Sequence, residues 1–322
     1  MAMDGDDLLV RIAWLYYIED LTQQEIADRI HLPRVKVTRL LKQARDEGIV
    51  EFRIVKPTVH LELERELRLH FGLKDAIVIP TPLDGERLRP ALGEAAAKYL
   101  QSLFRPGLVI GLGMGRTLAE IPDFVEPIPS SGCVFREMVG GSSRADLGLD
   151  TYNVSWRLAE RCGGIVEHIF APLLVESTET REALWNDSRI VATLEKAAQC
   201  DVGVVGIGDV GDDMLLFQLG CCDAATVRYL QDRGAVGDIL GRMFDVNGER
   251  VRCEMDERLI ALDLEQLRGI STMVAIAGGT EKTRAILGAL RGSYVNVLIT
   301  DMESARAVLR ESGTDEKRVS DG

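Results

Sequence analysis

The sequence lacks the cysteine and histidine spacing that a zinc site needs. It has six cysteines and four histidines, with no CxxC pair and no histidine cluster beside a cysteine. Structural and catalytic zinc sites are built from such clusters, so we predict no metal and no other cofactor. The cysteines are interpreted as buried free thiols, and the alternative is a redox pair formed by the adjacent Cys221 and Cys222.

Long apolar runs are also missing. No uninterrupted hydrophobic stretch approaches the roughly 20 residues of a membrane-spanning helix. The acidic opening with Asp4, Asp6 and Asp7 is unlike a signal peptide. We therefore expect a cytoplasmic protein without a membrane partner.

No catalytic grouping stands out. The sequence contains no recognisable Ser/His/Asp or Cys/His arrangement and no carboxylate pair suited to acid and base roles. His168 lies in an apolar run, where a hydrogen-bonded core imidazole is a better interpretation than a catalytic one. We therefore expect a protein that is not an enzyme.

Length and charge distribution predict two domains. A chain of 322 residues with 46 % hydrophobic residues is too long for one ordinary core. Residues 1–56 carry nine Lys and Arg against ten Asp and Glu, so about −12 of the net charge of −13 lies in the remainder. Lys56-Pro57-Thr58 breaks the pattern, and we place a small domain at 1–56 and a larger one at 57–322.

The stretch 21–47 predicts a helix-turn-helix. Thr22 and Glu25 have the spacing of a capping box, which starts a helix. A turn follows at 31–33, because Pro33 is tolerated only in the first turn of a helix. Leu8, Ile12 and Leu15 before it can supply a packing helix, and the alternating residues 49–55 suggest a wing-like strand.

The second helix of this motif is basic on its outer surface. No acidic residue occurs from Pro33 to Arg45, which in so acidic a chain favours a surface that faces phosphates. A recognition helix in the major groove of double-stranded DNA fits this pattern, and the alternative is a helical hairpin with a solvated charged face. The predicted DNA-binding residues are Arg34, Lys36, Thr38, Arg39 and Lys42.

The larger domain alternates apolar strands with helices. This alternation predicts an α/β fold with a Rossmann-like, mostly parallel sheet that is covered on both faces. A small hairpin is also expected over 251–260, after the DVNG turn. The predicted strands of the main sheet are 76–79, 108–112, 133–139, 165–170, 202–207, 272–277 and 295–300.

Three glycine-bearing loops follow predicted strands. The turn Gly113, Met114, Gly115, Arg116 and Thr117 opens a helix, so its amides, hydroxyl and guanidinium can face a phosphate. Its spacing is not GxGxxG, which argues against a dinucleotide, and close strand-helix packing is the alternative role for its glycines. Gly140 with Gly141, and Gly279 with the cation Lys282, form the other two loops, while Asp238 can accept hydrogen bonds from sugar hydroxyls. Loops at strand ends of one sheet can converge on one ligand.

Taken together, these stretches resemble the SorC/DeoR-type sugar-binding transcriptional regulators. The likeness covers nearly all of residues 8–310, and the order and spacing of the segments are specific. The matching segments are LTQQEIADRIHLPRVKVTRLLKQARDEGIV, FGLKDAIVIP, GLGMGRTLAEIP, DVGVVGIGDV, GAVGDILGRMFDVNGERV and AGGTEKTRAILGALRGSYVNVLITD.

The resemblance implies a domain similar to sugar-phosphate isomerases that senses an effector instead of turning it over. It implies that the effector's phosphate binds at the turn after the second strand, and that Asp238 and Lys282 also contact the effector. Met114 and Arg116 stand where relatives commonly carry tryptophan and a small hydroxyl residue, so a phosphate-free sugar or polyol remains an alternative. Val139 stands where some relatives place lysine, which argues against Schiff-base capture.

These features predict a regulator of a carbohydrate operon that binds operator DNA as a homodimer or homotetramer and responds to a sugar phosphate, sugar or polyol. The alternative is a sugar-phosphate isomerase or deaminase that carries a DNA-binding module. A purely structural or sigma-like DNA binder would leave the glycine loops without a purpose.

Overall fold

The computed structural model describes residues 5–50, 60–142, 151–211 and 213–320. The chain divides into two compact units, Met1–Pro57 and Thr58–Gly322, each with its own core. The strand expected at 49–55 falls outside the described residues from residue 51 onward, as does the expected domain boundary. Within the described ranges, no helix combines the length and hydrophobicity needed to cross a membrane.

The smaller unit contains three helices: α1 (Gly5–Tyr17), α2 (Gln23–Ile30) and α3 (Arg34–Asp46). The predicted capping box is confirmed, since Thr22 and Glu25 exchange backbone and side-chain hydrogen bonds at the start of α2. Helix α2 ends at His31, whose φ of 55° turns the chain toward Pro33 and α3. Apolar residues from all three helices form the core: Ile12, Leu15, Ile26, Ala27, Val37 and Leu41.

The larger unit is built on a seven-stranded parallel sheet in the order β1-β10-β9-β5-β2-β3-β4. Its strands are β1 (Asp75–Ile79), β2 (Val109–Leu112), β3 (Val134–Glu137), β4 (Ile165–Glu167), β5 (Val202–Gly206), β9 (Thr272–Ile276) and β10 (Val297–Asp301). All seven predicted strands are confirmed. Their apolar side chains are buried on both faces of the sheet, in two clusters.

Helices cover both faces of this sheet, as expected for parallel strands that are buried on two sides. The described helices of the larger unit are α4 (Leu61–Phe71), α5 (Leu88–Leu103), α6 (Arg116–Phe124), α7 (Thr151–Cys162), α8 (Thr178–Trp185), α9 (Ser188–Ala197), α10 (Leu215–Gln218), α11 (Ala224–Asp232), α12 (Leu264–Arg268), α13 (Thr283–Arg291) and α14 (Met302–Ser320). The predicted α/β class with a Rossmann-like sheet is confirmed.

A second sheet has three antiparallel strands, β6 (Gly208–Asp209), β7 (Ala235–Ile239) and β8 (Arg242–Asp245). The predicted hairpin at 251–260 was wrong, because the hairpin precedes the DVNG turn instead of following it. Residues 251–260 contain a 3-10 turn at Glu254–Glu257 and only isolated bridges, such as Leu174 with Leu259. The turn itself folds back so that Phe244 and Arg250 form one such bridge.

The strand order reverses between β2 and β5. After β2 the chain adds β3 and β4 toward one edge of the sheet, whereas β5, β9 and β10 extend toward the other edge. Connections that leave in opposite directions open a crevice at the carboxyl ends of the two central strands, where open α/β sheets bind ligands. The glycine turn after β2 lies at this crevice.

Helices α5 and α6 approach closely at Gly93. A Cβ atom at residue 93 would lie 2.5 Å from Cβ of Glu120 and 3.2 Å from its carbonyl carbon. Glycine is therefore required for contact between the two helices, and α6 begins at the glycine turn.

Replacing Gly93 with alanine should destabilise the larger unit. Alanine favours a helix by roughly 1 kcal/mol over glycine, but overpacking at this contact costs about 1–3 kcal/mol. Scanning calorimetry should show a melting temperature lower by a few degrees. Gly313→Ala on α14 is the control, because a Cβ there meets no atom within 4 Å. A Gly93→Ala protein that melts at or above the wild-type temperature contradicts this packing.

Candidate functional site

The predicted recognition helix α3 presents its basic side chains to solvent. Val37, Leu41 and Ala44 are buried against the other two helices. The five side chains predicted to bind DNA are all exposed: Arg34, Lys36, Thr38, Arg39 and Lys42. These basic side chains are therefore accessible on the described surface of α3.

Two further residues belong to the same surface. The Thr38 hydroxyl lies 2.7 Å from Oε1 of Gln23 on α2 and 3.1 Å from the Arg34 carbonyl oxygen. Gln23 is therefore held beside the basic helix, which the sequence pattern did not indicate. Val35 is 81 % exposed on α3. Its position off the apolar stripe is a signal that could have identified it, because an exposed methyl group can contact a thymine methyl.

In the larger unit, the glycine turn connects β2 with α6. The Gly113 amide donates to the Val204 carbonyl on β5 at 2.8 Å, which ties the turn to the neighbouring strand. Gly115 caps α6 with a φ of 146°, a conformation that favours glycine, and a Cβ there would point into open space. The free amides at the start of α6 therefore face the crevice, where they favour an anion.

This crevice contains a cavity that is lined by residues from distant parts of the chain. Lining residues from the sequence prediction are Met114, Gly115, Arg116, Thr117, Asp238 and Lys282. Gly206 and Ile276, at the ends of β5 and β9, also line it. Of the three glycine loops expected to converge, those after β2 and β9 reach the cavity and the one after β3 does not, while the end of β5 and the small sheet, with Asp238, also contribute.

Lys282 is partly buried and lines this cavity. Its Nζ donates to the Ile207 carbonyl oxygen at 2.9 Å. Burial lowers the pKa of Lys282, and the nearby carboxylates of Asp209, Asp238 and Glu281 oppose that shift. The ammonium is held by negative charge on several sides and keeps donors for a ligand.

Asp238 lies beside the lysine on β7. Its Oδ2 accepts a hydrogen bond from the Gly241 amide at 2.9 Å. Burial raises the pKa of Asp238 to about 6, while that hydrogen bond and Lys282 lower it and Asp209 raises it. A carboxyl group in this state can accept or donate a hydrogen bond near neutral pH, which suits a ligand hydroxyl.

Arg116 makes contacts within the protein that the sequence did not predict. Its guanidinium donates to the Asp213 carbonyl oxygen at 3.0 Å and to the Gln218 side chain. Burial lowers the pKa of Arg116, and the positive charge of Arg89 adds to that shift. Arg116 therefore joins the start of α6 to the segment around α10, which forms one wall of the cavity.

Arg89 and Asp209 are cavity residues that sequence reasoning missed. Arg89, at the start of α5, is near enough to lower the pKa of both Arg116 and Lys282. Asp209 lines the cavity from β6. This strand has only two residues, which is too short a segment to be recognised as a strand in the sequence. The cavity thus combines three cations with carboxylates, and only the fold places them together.

The glycines of the other two loops do not line the cavity, although Glu281 and Lys282 from the loop of Gly279 do. The Gly140 amide donates to the Ile260 carbonyl, and a Cβ there would lie 2.5 Å from the Pro172 carbonyl oxygen. The Gly279 amide donates to Oδ2 of Asp301 at 3.0 Å. Neither of these glycines, nor Gly141, is among the residues that line the cavity. Close packing, the alternative role weighed for such glycines, accounts for their contacts.

Gly113 does not line the cavity but packs against Leu240, a residue that does. A Cβ at this position would lie 2.8 Å from Cδ2 of Leu240, which itself lines the cavity. Leu240 has a φ of 54°, and the next residue, Gly241, has a φ of 80°. Left-handed backbone costs a residue with a side chain roughly 1–2 kcal/mol. The Leu240 side chain therefore fits against residue 113 because glycine has no side chain. The backbone of Leu240 itself is strained.

His168 is a core imidazole, as interpreted from the sequence. Its Nδ1 lies 2.8 Å from Oε1 of Glu137, and the Glu137 carboxylate also accepts from Ser155 and from the Ile169 amide. These partners satisfy the buried carboxylate without a ligand. The six cysteines are free thiols, of which Cys133, Cys162 and Cys200 are buried and Cys221, Cys222 and Cys253 are partly buried. Burial raises the pKa of the Cys222 thiol to about 11 and keeps it protonated.

A helix-turn-helix unit joined to an α/β unit with a ligand crevice defines the class of ligand-sensing DNA-binding regulators. Residues 55–310 match the family model described as a putative sugar-binding domain. The chain belongs to the SorC/DeoR-type family of sugar-binding transcriptional regulators.

Similar proteins of known sequence and structure agree with this assignment. The transcriptional regulator LsrR of Enterobacter sp. (strain 638) is 34 % identical over 97 % of this chain and 96 % of its own length. The deoxyribonucleoside regulator of Bacillus subtilis (strain 168) is 30 % identical over 97 % of this chain and all of its own length. The full-length sorbitol operon regulator SorC of Klebsiella pneumoniae has a TM-score of 0.73 at 30 % identity, covering 94 % of this chain and 98 % of that protein.

Asp238 should make the stability of the larger unit fall as pH rises through about 6. Its folded-state pKa of about 6 lies above the unfolded value of about 3.9. Between these two pH values the folded chain binds a proton at Asp238 that the unfolded chain has lost. Protonation therefore stabilises the folded state at low pH, and this stabilisation is lost as pH rises through about 6. Relative to Asp238→Asn, the free energy of unfolding of the wild type should drop by roughly 2–3 kcal/mol from pH 4 to pH 7.

Denaturant unfolding of both proteins at several pH values measures this difference. Asp187→Asn is the matched control, because hydrogen bonds from Arg189 lower the pKa of that partly exposed carboxyl to about 2, outside the tested interval. A difference between wild type and Asp238→Asn that stays constant from pH 4 to pH 7 contradicts the burial of Asp238.

Proposed function

We propose that this protein regulates transcription of a carbohydrate operon by binding operator DNA through α3 and a sugar phosphate in the crevice between β2 and β5. The observation that carries this proposal is the cavity itself. A helix N-terminus and three cations lie in the same crevice as carboxylates that can accept hydrogen bonds from hydroxyl groups. This combination fits a ligand with a phosphate and several hydroxyls.

The phosphate is assigned to the start of α6. Amides at the start of α6 and the Thr117 hydroxyl can donate to its oxygens, and the open space over Gly115 lets it approach the backbone. Arg89 lines the same cavity, so its guanidinium can add a charge-assisted contact. We favour the phosphorylated ligand because the amides at the start of α6, the Thr117 hydroxyl and the Arg89 guanidinium are donors suited to an anion.

The hydroxyl groups are assigned to the opposite side of the cavity. Asp238 and Asp209 supply acceptors there, and Lys282 supplies donors between them. Apolar side chains of Met114, Leu215 and other residues form the remaining wall. A sugar phosphate can place its polar edge on the carboxylates and its carbon skeleton against this wall.

The DNA half of the proposal rests on α3 and on symmetry. A homodimer or homotetramer would present paired recognition helices to a palindromic or repeated operator. Effector binding would favour one arrangement of these helices, with a coupling of about 1–3 kcal/mol. The family assignment and the exposed basic face of α3 support this proposal.

Sensing is favoured over catalysis. The relatives are named as transcriptional regulators, and residue 139 is a valine that cannot form a Schiff base with an aldehyde. We propose that the isomerase-like cavity binds its ligand without turnover. Coupled assays with pentose, hexose and amino-sugar phosphates should therefore remain flat, and measurable turnover of any of them would support the enzyme alternative.

Arg39→Ala should weaken binding to the operator. An arginine that reads a base contributes about 1–3 kcal/mol at the cognate site, whereas one that contacts phosphate weakens all sequences alike and lowers the salt slope by about one. Fluorescence anisotropy on a duplex selected from a random library, with a scrambled duplex beside it, separates these outcomes. Lys98→Ala removes a surface cation from the larger unit and should change nothing. Unchanged affinity of Arg39→Ala for both duplexes would exclude Arg39 from the interface.

Lys282→Ala should weaken effector binding at least tenfold, because it removes a partly buried cation that faces the ligand. Its affinity for operator DNA without effector should stay at the wild-type value. Calorimetric titration with sugar phosphates and their unphosphorylated forms measures the change. Arg284→Ala is the control, since this exposed arginine lies 3.7 Å from Glu311 and outside the cavity lining. Equal ligand affinities of Lys282→Ala and wild type would refute this assignment.

A further inference from the structure

The two-residue turn between β7 and β8 holds a side chain that its backbone disfavours. Ile239 pairs with Arg242, so only Leu240 and Gly241 form the turn, and both have positive φ. Such turns prefer Asn-Gly, because a branched side chain in the left-handed region is a genuine outlier. Leu240 is also only 4 % exposed. Strained residues of this kind cluster at functional sites, where the surroundings compensate for the strain.

The Leu240 side chain contacts the glycine turn that begins the proposed phosphate site. Its Cδ2 occupies space within 2.8 Å of the position that a Gly113 Cβ would take. The leucine therefore fits against the backbone only because residue 113 is glycine. Leu240 also lines the cavity directly.

The same turn fixes the proposed hydroxyl site. Gly241, the next residue, donates its amide to Oδ2 of Asp238 at 2.9 Å. The charged groups that face Asp238 are Lys282 and Asp209, which come from two other elements. The Leu240-Gly241 turn thus packs against the backbone at Gly113 through the leucine side chain and holds the Asp238 carboxyl through the Gly241 amide.

We infer that Leu240 is a positioning residue of the effector site: its side chain sets the spacing between the glycine turn and the Asp238 carboxyl and keeps water from that carboxyl. For the effect of Leu240 on ligand affinity, the inference rests on the proposed function. The effect of Leu240 on the Asp238 carboxyl exists in the ligand-free protein as well. The strained backbone is retained because an unstrained asparagine could not make the same apolar contact.

Two substitutions at residue 240 separate packing from turn formation. Leu240→Asn suits the turn but removes the apolar contact with Gly113, whereas Leu240→Met keeps an apolar side chain of similar volume and leaves the strain in place. Ser293→Asn is the control for relieving left-handed backbone strain without touching the site. Ser293 has a φ of 54°, is exposed and does not line the cavity.

The first measurement is a carbon-13 NMR titration of aspartate carboxyls in the full ligand-free chain, with Asp238→Asn identifying the resonance. Wild type, Leu240→Met and Ser293→Asn should show a raised Asp238 pKa. In Leu240→Asn the pKa of Asp238 should fall by at least one unit toward its usual value, because water reaches the carboxyl. An unchanged titration of Asp238 in Leu240→Asn would overturn the inference.

The second measurement is calorimetric titration with ribose 5-phosphate, glucose 6-phosphate and inorganic phosphate. Leu240→Asn should bind the tightest of these at least tenfold more weakly than wild type, and Leu240→Met should stay within threefold. Equal binding by Leu240→Asn would overturn the positioning role. If wild type binds none of the three while the Asp238 titration shifts as expected, the choice of ligand in the proposed function fails and the role of Leu240 in keeping water from Asp238 stands.

A second variant covers the case in which Leu240→Asn does not fold, as judged by circular dichroism. Gly113→Ala leaves Leu240 in the chain but places a Cβ 2.8 Å from its Cδ2, which displaces the leucine side chain. The same fall in the Asp238 pKa is expected. A Gly113→Ala protein with the wild-type titration of Asp238 would overturn the inference.

Discussion

The reversal of strand order between β2 and β5 is the constraint on which the effector site depends. Because connections leave these two strands in opposite directions, no helix closes the sheet at their carboxyl ends, and a crevice remains. The turn after β2 needs glycine at residues 113 and 115 to enter α6 without filling that crevice. The free amides of α6, the end of β5 and the small antiparallel sheet then meet around the same space.

Charge within the crevice is balanced only in part. Lys282 lies among Asp209, Asp238 and Glu281, and burial shifts the pKa of Lys282 downward and that of Asp238 upward. Buried charged groups are costly unless they are hydrogen-bonded, and ligand hydroxyl groups that donate to these carboxylates reduce that cost. The same imbalance explains why such a ligand can distinguish between states of the protein. It binds best to the state in which the carboxylates and cations face it together.

The sequence predicted the fold and the core of the candidate site because the signals there are local. Apolar runs located all seven parallel strands, the capping box at Thr22 located α2, and the glycine turn located the start of α6. The hairpin was misplaced, because β7 carries Asp238 and is followed by a Leu-Gly turn instead of the usual Asn-Gly, so the sequence does not show a regular alternating strand and hairpin turn there. Arg89 and Asp209 were missed because their role depends on packing between elements distant in sequence. Gly140 illustrates the converse, since a glycine loop that looks like a ligand site is needed for contact with Pro172.

Reciprocal linkage between the two units tests the central claim most directly. A sugar phosphate that binds the crevice should be titrated into the protein alone and into the protein saturated with operator duplex, and the duplex should be titrated with and without that ligand. The account predicts that both pairs of affinities change by the same factor, in the range of about 5 to 150. Ligand affinity that is identical with and without operator DNA would contradict the coupling of sensing to DNA binding.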